Sequence, residues 1–213
     1  MGNEKDDLMK KLLLTVLLFS VMKSAQAQNY IFLLHNMWLE LEPKDVQHPE
    51  YGLCEYDKII ESFRKKGFIV ISEIRPRGTN GNTYAGKVAG QVDSLMSKGI
   101  KPNNITVIGT SKGGYITQRV SALVKNDKVN YVFIGCCSEK PDGPVTPWYG
   151  NILSIYERTD KWVSCQNEKK LAGNNITRFK EIELNTERKH GFLYKALPDW
   201  IEPAARWANQ KYD

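Results

Sequence analysis

From Asn29 onward the chain switches repeatedly between two hydrophobic patterns. One is continuous: "NYIFLLHN" (29–36) is apolar through its middle and polar at its end, as a parallel strand buried on both faces reads. The other is periodic: in "CEYDKIIESFRKKG" (54–67), Tyr56, Ile59, Ile60 and Phe63 recur at helical spacing and Gly67 closes the run. Further strands are predicted in "FIVISEI" (68–74), "ITVIGT" (105–110), "VNYVFIG" (129–135), "ILSIYE" (152–157) and "RFKEIEL" (178–184). Between them lie helical stretches, of which 82–99 carries Tyr84, Val88, Val92, Leu95 and Met96 on one stripe, followed by 113–126 and 162–173. A closing helix over 192–210 is expected to bend at Pro198 or Pro203. Such alternation, with no repeat or linker, predicts a single α/β domain: a roughly six-stranded, mostly parallel sheet with helices on both faces.

The first residues follow another pattern. Lys10 and Lys11 precede the apolar run Leu12 to Met22, and "AQA" (25–27) follows, which reads as a secretory signal cleaved after Ala27. The run is shorter than the roughly 20 residues that span a bilayer, so no membrane span is expected in the domain 28–213. That domain is expected to be exported, periplasmic or secreted. Cleavage leaves 26 basic and 21 acidic residues, a net charge of +5. This mild excess is scattered in groups such as Arg64–Lys66, so no nucleic-acid partner is expected.

Candidate chemistry sits at the predicted strand ends, where ligands bind in such sheets. Ser111 follows the third strand in "VIGTSKGGY", with Gly109 two residues before it and Gly113 two after. A sharp strand-to-helix turn crowds those flanking positions and leaves the hydroxyl exposed. "GTSKGG" has neither Walker nor G-x-G-x-x-G spacing, so no phosphate-bearing cofactor is implied. A serine hydroxyl needs a base to take its proton and an acid to orient that base. Of three histidines only His190 lies late, in "NTERKHGF". Asp160 stands just beyond the fifth strand, with Glu157 as its competitor at the strand's edge.

The order Ser111, Asp160, His190, with "LLHN" (33–36), "GTSKG" (109–113), "YERTD" (156–160) and "KHGF" (189–192), resembles the α/β-hydrolase superfamily over essentially all of Tyr30 to Gln210. The resemblance implies that the acyl group of a small to medium substrate passes through a covalent acyl-serine to water. It further implies an oxyanion hole made by the backbone N–H groups of Lys112 and Met37, with His35 bracing the loop. Asn36 stands where the family usually has Gly, a residue change that Asn's tolerance of left-handed φ can absorb. That departure motivates the alternative reading, a non-catalytic binding protein on the same fold.

Rim residues complete the expectations. Arg75 and Arg77, in "RPRGTN" (75–80), are candidates for holding an anionic substrate group, and Trp148, Tyr149 and Trp162 for walls of an open pocket. The segment 136–151 has three Pro and no helical stripe, so no helical lid is expected. No Cys or His pair has short metal-site spacing, so neither metal nor cofactor is expected. Of four Cys, either Cys136 or Cys137 should bridge to Cys165, with Cys137 preferred and Cys54 left free.

Overall fold

The computed structural model describes residues 28–141 and 145–213 of the chain. The expected signal segment, residues 1–27, lies outside them. Six strands run parallel in one sheet: β1 (Tyr30–Leu34), β4 (Ile69–Ile71), β5 (Ile105–Thr110), β6 (Asn130–Ile134), β7 (Gly150–Glu157) and β8 (Ile176–Leu184). Their spatial order is β4-β1-β5-β6-β7-β8. Successive side chains point to opposite faces, so Ile31 and Leu33 serve one apolar layer and Phe32 and Leu34 the other. The first layer packs under helices α2 (Tyr56–Lys65) and α6 (Pro198–Ala208), through Ile59, Phe63, Trp200 and Ala204. The second packs under α3 (Gly81–Ser97) and α4 (Lys112–Val124), through Val88, Val92, Ile116 and Val120. Burial on both faces is why these strands read as continuous apolar runs.

After β1 the chain turns toward β4, whereas after β5 it turns toward β6. The carboxyl ends of β1 and β5 therefore flank the crevice where a parallel sheet changes direction. The segment after "LLHN" and the Ser111 turn meet there.

Four expectations change. Between β1 and α2 the chain forms a short helix, α1 (Trp38–Leu41), and a hairpin of β2 (Gln47–His48) and β3 (Gly52–Leu53), none of which the hydrophobic pattern marks. The strand after Gly67 is confined to Ile69–Ile71, the residues that pair with Tyr30–Phe32 of β1 at the sheet edge. The closing helix is two elements: a 3-10 turn (Lys189–Tyr194), then α6 with Pro198 at its first position, where the missing N–H costs nothing. The helix after β7 is α5 (Gln166–Leu171), shorter than its apolar pattern because Trp162 and Val163 belong to the preceding loop. No helix among the described residues is long and apolar enough to cross a membrane.

Candidate active site

Ser111 links β5 directly to α4 with φ 51° and ψ −118°, a left-handed conformation uncommon for a residue with a Cβ. Its N–H donates to the Ile134 carbonyl at 2.8 Å, which pins the turn to the end of β6. A Cβ on Gly109 would run into the Gly113 carbonyl, and one on Gly113 into the carbonyls of Leu34 and His35. These two glycines are thus set by close backbone approach, and the second of them lets the β1 loop lie against the turn.

His190 projects from the 3-10 turn after β8, its Nε2 2.9 Å from Ser111 Oγ and its Nδ1 2.5 Å from Asp160 Oδ2. Glu187 and Lys189, just before it, have φ of 58° and 48°. Such strain persists only where surrounding contacts over-determine the loop. Glu157 supplies them, its two oxygens accepting from Thr159 N–H and Oγ1–H on the acid loop and from Thr186 N–H and Oγ1–H on the base loop. Burial alone would raise this carboxyl, but the hydrogen bonds from Thr186 and Thr159 together hold it below the usual Glu range. Of the two competing acids, Asp160 meets His190 and Glu157 ties the loops together. The rings of Tyr51 and Trp162 both lie near the His190 ring, at centroid separations of 6.1 and 6.3 Å.

His35, Asn36 and Met37 follow β1. Asn36 is buried and has no positive φ, so it takes the usual glycine's place without calling on left-handed backbone. Its Nδ2 points to Cys54 Sγ at 3.5 Å. The Arg75 N–H donates to His35 Nε2 at 2.8 Å, so the ring's proton sits on Nδ1 and is donated to the Asn36 carbonyl at 2.6 Å. Burial and the neighbouring Arg75 charge lower His35 to about 3, which keeps it neutral. The Met37 and Lys112 N–H groups have no acceptor among the described residues, and both residues line the cleft with Ser111.

That cleft has a volume of about 530 Å³, and Met37, Tyr115, Cys136, Val145, Trp162 and Glu168 are among its lining residues. A larger groove of about 790 Å³ runs along α2 past Glu61 and Arg64, but it holds no member of the Ser111 cluster, so volume does not identify the site. No helix occurs among the described residues between β6 and β7.

Several rim expectations are corrected. Arg75 is 1% exposed and is bonded to Glu40 and to loop carbonyls, so it is not placed to meet a substrate. Arg77 is exposed but donates to the Leu41 carbonyl at the end of α1, away from the cleft. Trp148 is fully buried against Phe133, and Tyr149 pairs its backbone with the Ser121 hydroxyl on α4; neither forms a wall. Trp162 does line the cleft. Sequence reasoning passed over Glu40, Tyr115, Gln118 and Glu168. Tyr115 and Gln118 follow Ser111 by four and seven positions, a helical repeat that marks the same face of α4. Glu40 and Glu168 carry no such signal.

Cys137 and Cys165 form a disulfide with Cα atoms 5.1 Å apart, the preferred pairing, while Cys54 and Cys136 are buried free thiols. The three sulfurs of Cys136, Cys137 and Cys165 cluster, but the bridge leaves a single thiol there, which burial holds well above the ordinary value. The Val163 N–H donates to the Cys137 carbonyl at 2.9 Å, joining the acid loop to the β6 loop beside the bridge.

No protein-family model matches the chain, and no curated protein is similar to it in sequence. Solved structures are similar in fold. SOBER1 from Arabidopsis thaliana is 13% identical, with 88% of this chain and 100% of that one covered at a TM-score of 0.57. A serine hydrolase without a lid from Xanthomonas campestris is 15% identical, covering 88% and 84%, at 0.58. YbtT, a type II thioesterase of the yersiniabactin pathway, is 8% identical, covering 89% and 96%, at 0.57. The parallel six-stranded sheet and these likenesses make this an α/β-hydrolase fold.

Proposed function

We propose that the protein is a serine hydrolase that cleaves an ester, thioester or related acyl bond of a small to medium substrate. The observation that carries this reading is His190 bridging Ser111 and Asp160 at the carboxyl ends of the strands. Fold likeness alone does not assign chemistry, since one fold hosts many functions. In the reaction, Ser111 Oγ attacks the acyl carbon while His190 Nε2 takes the hydroxyl proton. Asp160 holds the ring through Nδ1–H and stabilises the imidazolium. The Lys112 and Met37 N–H groups receive the oxyanion, both being free of other acceptors among the described residues. His190 then gives its proton to the leaving alcohol or thiol as the tetrahedral adduct collapses and the old acyl bond breaks, which leaves the acyl group on Ser111. Water repeats the cycle and releases the acid. No cofactor takes part in this sequence of steps.

A cleft of this volume suits a ligand of drug-like size. Apolar Met37 and Tyr115, each nearly half exposed beside Ser111, favour an acyl chain against them. Export is supported by the disulfide, which persists in oxidising compartments, and by the N-terminal sequence pattern. A fluorophosphonate probe tests the reading: labelling of the parent protein that disappears in Ser111→Ala supports it, and absence of labelling of folded parent protein refutes it. The binding-protein alternative rested on Asn36, and that residue's ordinary backbone conformation gives it no support.

A further inference from the structure

Glu40 and Arg75 touch neither Ser111 nor His190, yet they form the most buried ion pair among the described residues. Arg75 Nε donates to Glu40 Oε1 at 2.6 Å, with side chains 0% and 1% exposed. Removing such charges from water is costly and is offset only by the bonds they make; here Arg75 Nε and Nη2 are both engaged, while Nη1 has no partner among the described residues. The bonds here converge on one stretch of backbone. Arg75 Nη2 donates to the His35 carbonyl and, at 3.3 Å, to the Asn36 carbonyl. The second carboxylate oxygen of Glu40 accepts from Lys112 Nζ at 2.5 Å, and Lys112 also donates to the Thr79 carbonyl at 2.9 Å. One buried carboxylate therefore joins the β1 loop, the β4 loop and the first residue of α4.

The oxyanion hole is affected through peptide geometry. In a planar trans peptide the C=O of one residue and the N–H of the next point in opposite directions. The Asn36 carbonyl is held from one side by His35 Nδ1–H and Arg75 Nη2, so the Met37 N–H is aimed the opposite way. The same network ties Lys112, whose own N–H is the other proposed donor, to that peptide. We propose that Glu40 and Arg75 are positioning residues that fix the Met37 and Lys112 N–H groups relative to one another before substrate arrives. This rests on the hydrolase reading above and adds to it the source of the hole's preorganisation. Removing one oxyanion donor outright costs about 10²- to 10³-fold in kcat, so mis-aiming it should cost roughly tenfold or more.

The test compares the parent, Glu40→Gln and Arg75→Lys on a p-nitrophenyl ester, by fluorophosphonate labelling rate, and by affinity for a boronic acid that forms a tetrahedral serine adduct. Glu40→Gln keeps the side chain's shape, and Arg75→Lys keeps the charge facing Glu40 while losing the separate Nη2 group that reaches both carbonyls. The expected result is a kcat at least tenfold lower with KM within about threefold, and a parallel loss of labelling rate and boronate affinity. A kcat, labelling rate and boronate affinity within twofold of the parent in a folded variant overturn the proposal. So does an activity loss that merely tracks the fraction unfolded, read from circular dichroism at the assay temperature. Should Glu40→Gln fail to fold, Arg75→Lys decides between these same outcomes. A parent protein that is itself never labelled at Ser111 refutes the hydrolase reading, and this inference with it.

Discussion

Asp160 Oδ2 lies 2.5 Å from His190 Nδ1, although Glu157 stands only three residues earlier in the chain. The two acids divide the work by orientation: Glu157 ends the buried strand and turns to Thr159 and Thr186, while Asp160 reaches the histidine. Asp160→Asn is expected to lower kcat by about 10³- to 10⁴-fold, since the histidine loses its orienting acceptor. Glu157→Gln should leave kcat within about tenfold while lowering stability by roughly 1–3 kcal/mol, because its partners are left under-satisfied. Ester hydrolysis and thermal melts of the two variants check this; equal losses of kcat would give Glu157 the acid's role.

Glu157 and His35 both make stability depend on pH on the acid side. The folded-state pKa of Glu157 is depressed, so its contribution is present above the ordinary Glu value and is lost as pH falls below it. His35 is lowered from 6.5 to about 3, so the unfolded chain binds its proton first and stability falls as pH drops through that interval. Each pH unit inside the window costs about 1.4 kcal/mol for one such group. Between pH 6 and pH 4.5 only His35 of the two contributes strongly. His35→Gln should therefore flatten the stability profile there, measured by urea unfolding, and an unchanged slope would contradict the buried neutral ring.

Glycines separate sharply by surroundings. Gly113→Ala forces a Cβ into the Leu34 and His35 carbonyls at the end of a central strand, where backbone has little room to yield. A loss of roughly 3 kcal/mol, with activity falling alongside, is expected from such overpacking. Gly86 and Gly90 are exposed within α3, and a methyl group at either would meet nothing within 4 Å. Alanine at either should raise stability by about 0.5–1 kcal/mol, by helix propensity alone. Melting temperatures of the three variants test both directions.

The bridge between Cys137 and Cys165 spans 28 positions, and closing such a loop is worth roughly 3–4 kcal/mol through the unfolded chain. Reduction, or the double change Cys137→Ala with Cys165→Ala, should lower the melting temperature. It should also lower kcat, because the Val163 backbone beside the bridge belongs to the loop that carries Asp160. Cys54 and Cys136 should resist alkylation until the protein unfolds, Cys54 because it is buried and Cys136, which borders the cleft, because burial also holds its thiol well above the ordinary value. Peptide mapping without reductant checks the pairing: Cys165 recovered as a free thiol, or joined to Cys54, would contradict it.

The sequence by itself determined the six strands, the four main helices and the order in which Ser111, Asp160 and His190 follow them. Those features are local: a buried strand must be apolar along its length, a helix must repeat its apolar face, and a turn through left-handed backbone at Ser111 needs glycines beside it. What only the tertiary structure decided is which of several similar side chains faces which neighbour. Arg75 and Arg77 read alike in "RPRGTN", yet one is enclosed with Glu40 and the other lies in solvent at the end of α1. Trp148 and Trp162 likewise divide between core and cleft. Glu40 shows no sequence signal at all, because its partners Arg75 and Lys112 are 35 and 72 positions away. A charged side chain is buried or exposed according to whether distant segments bring it a partner, and that information resides in the packing of β1, β4 and α4 rather than in any local pattern.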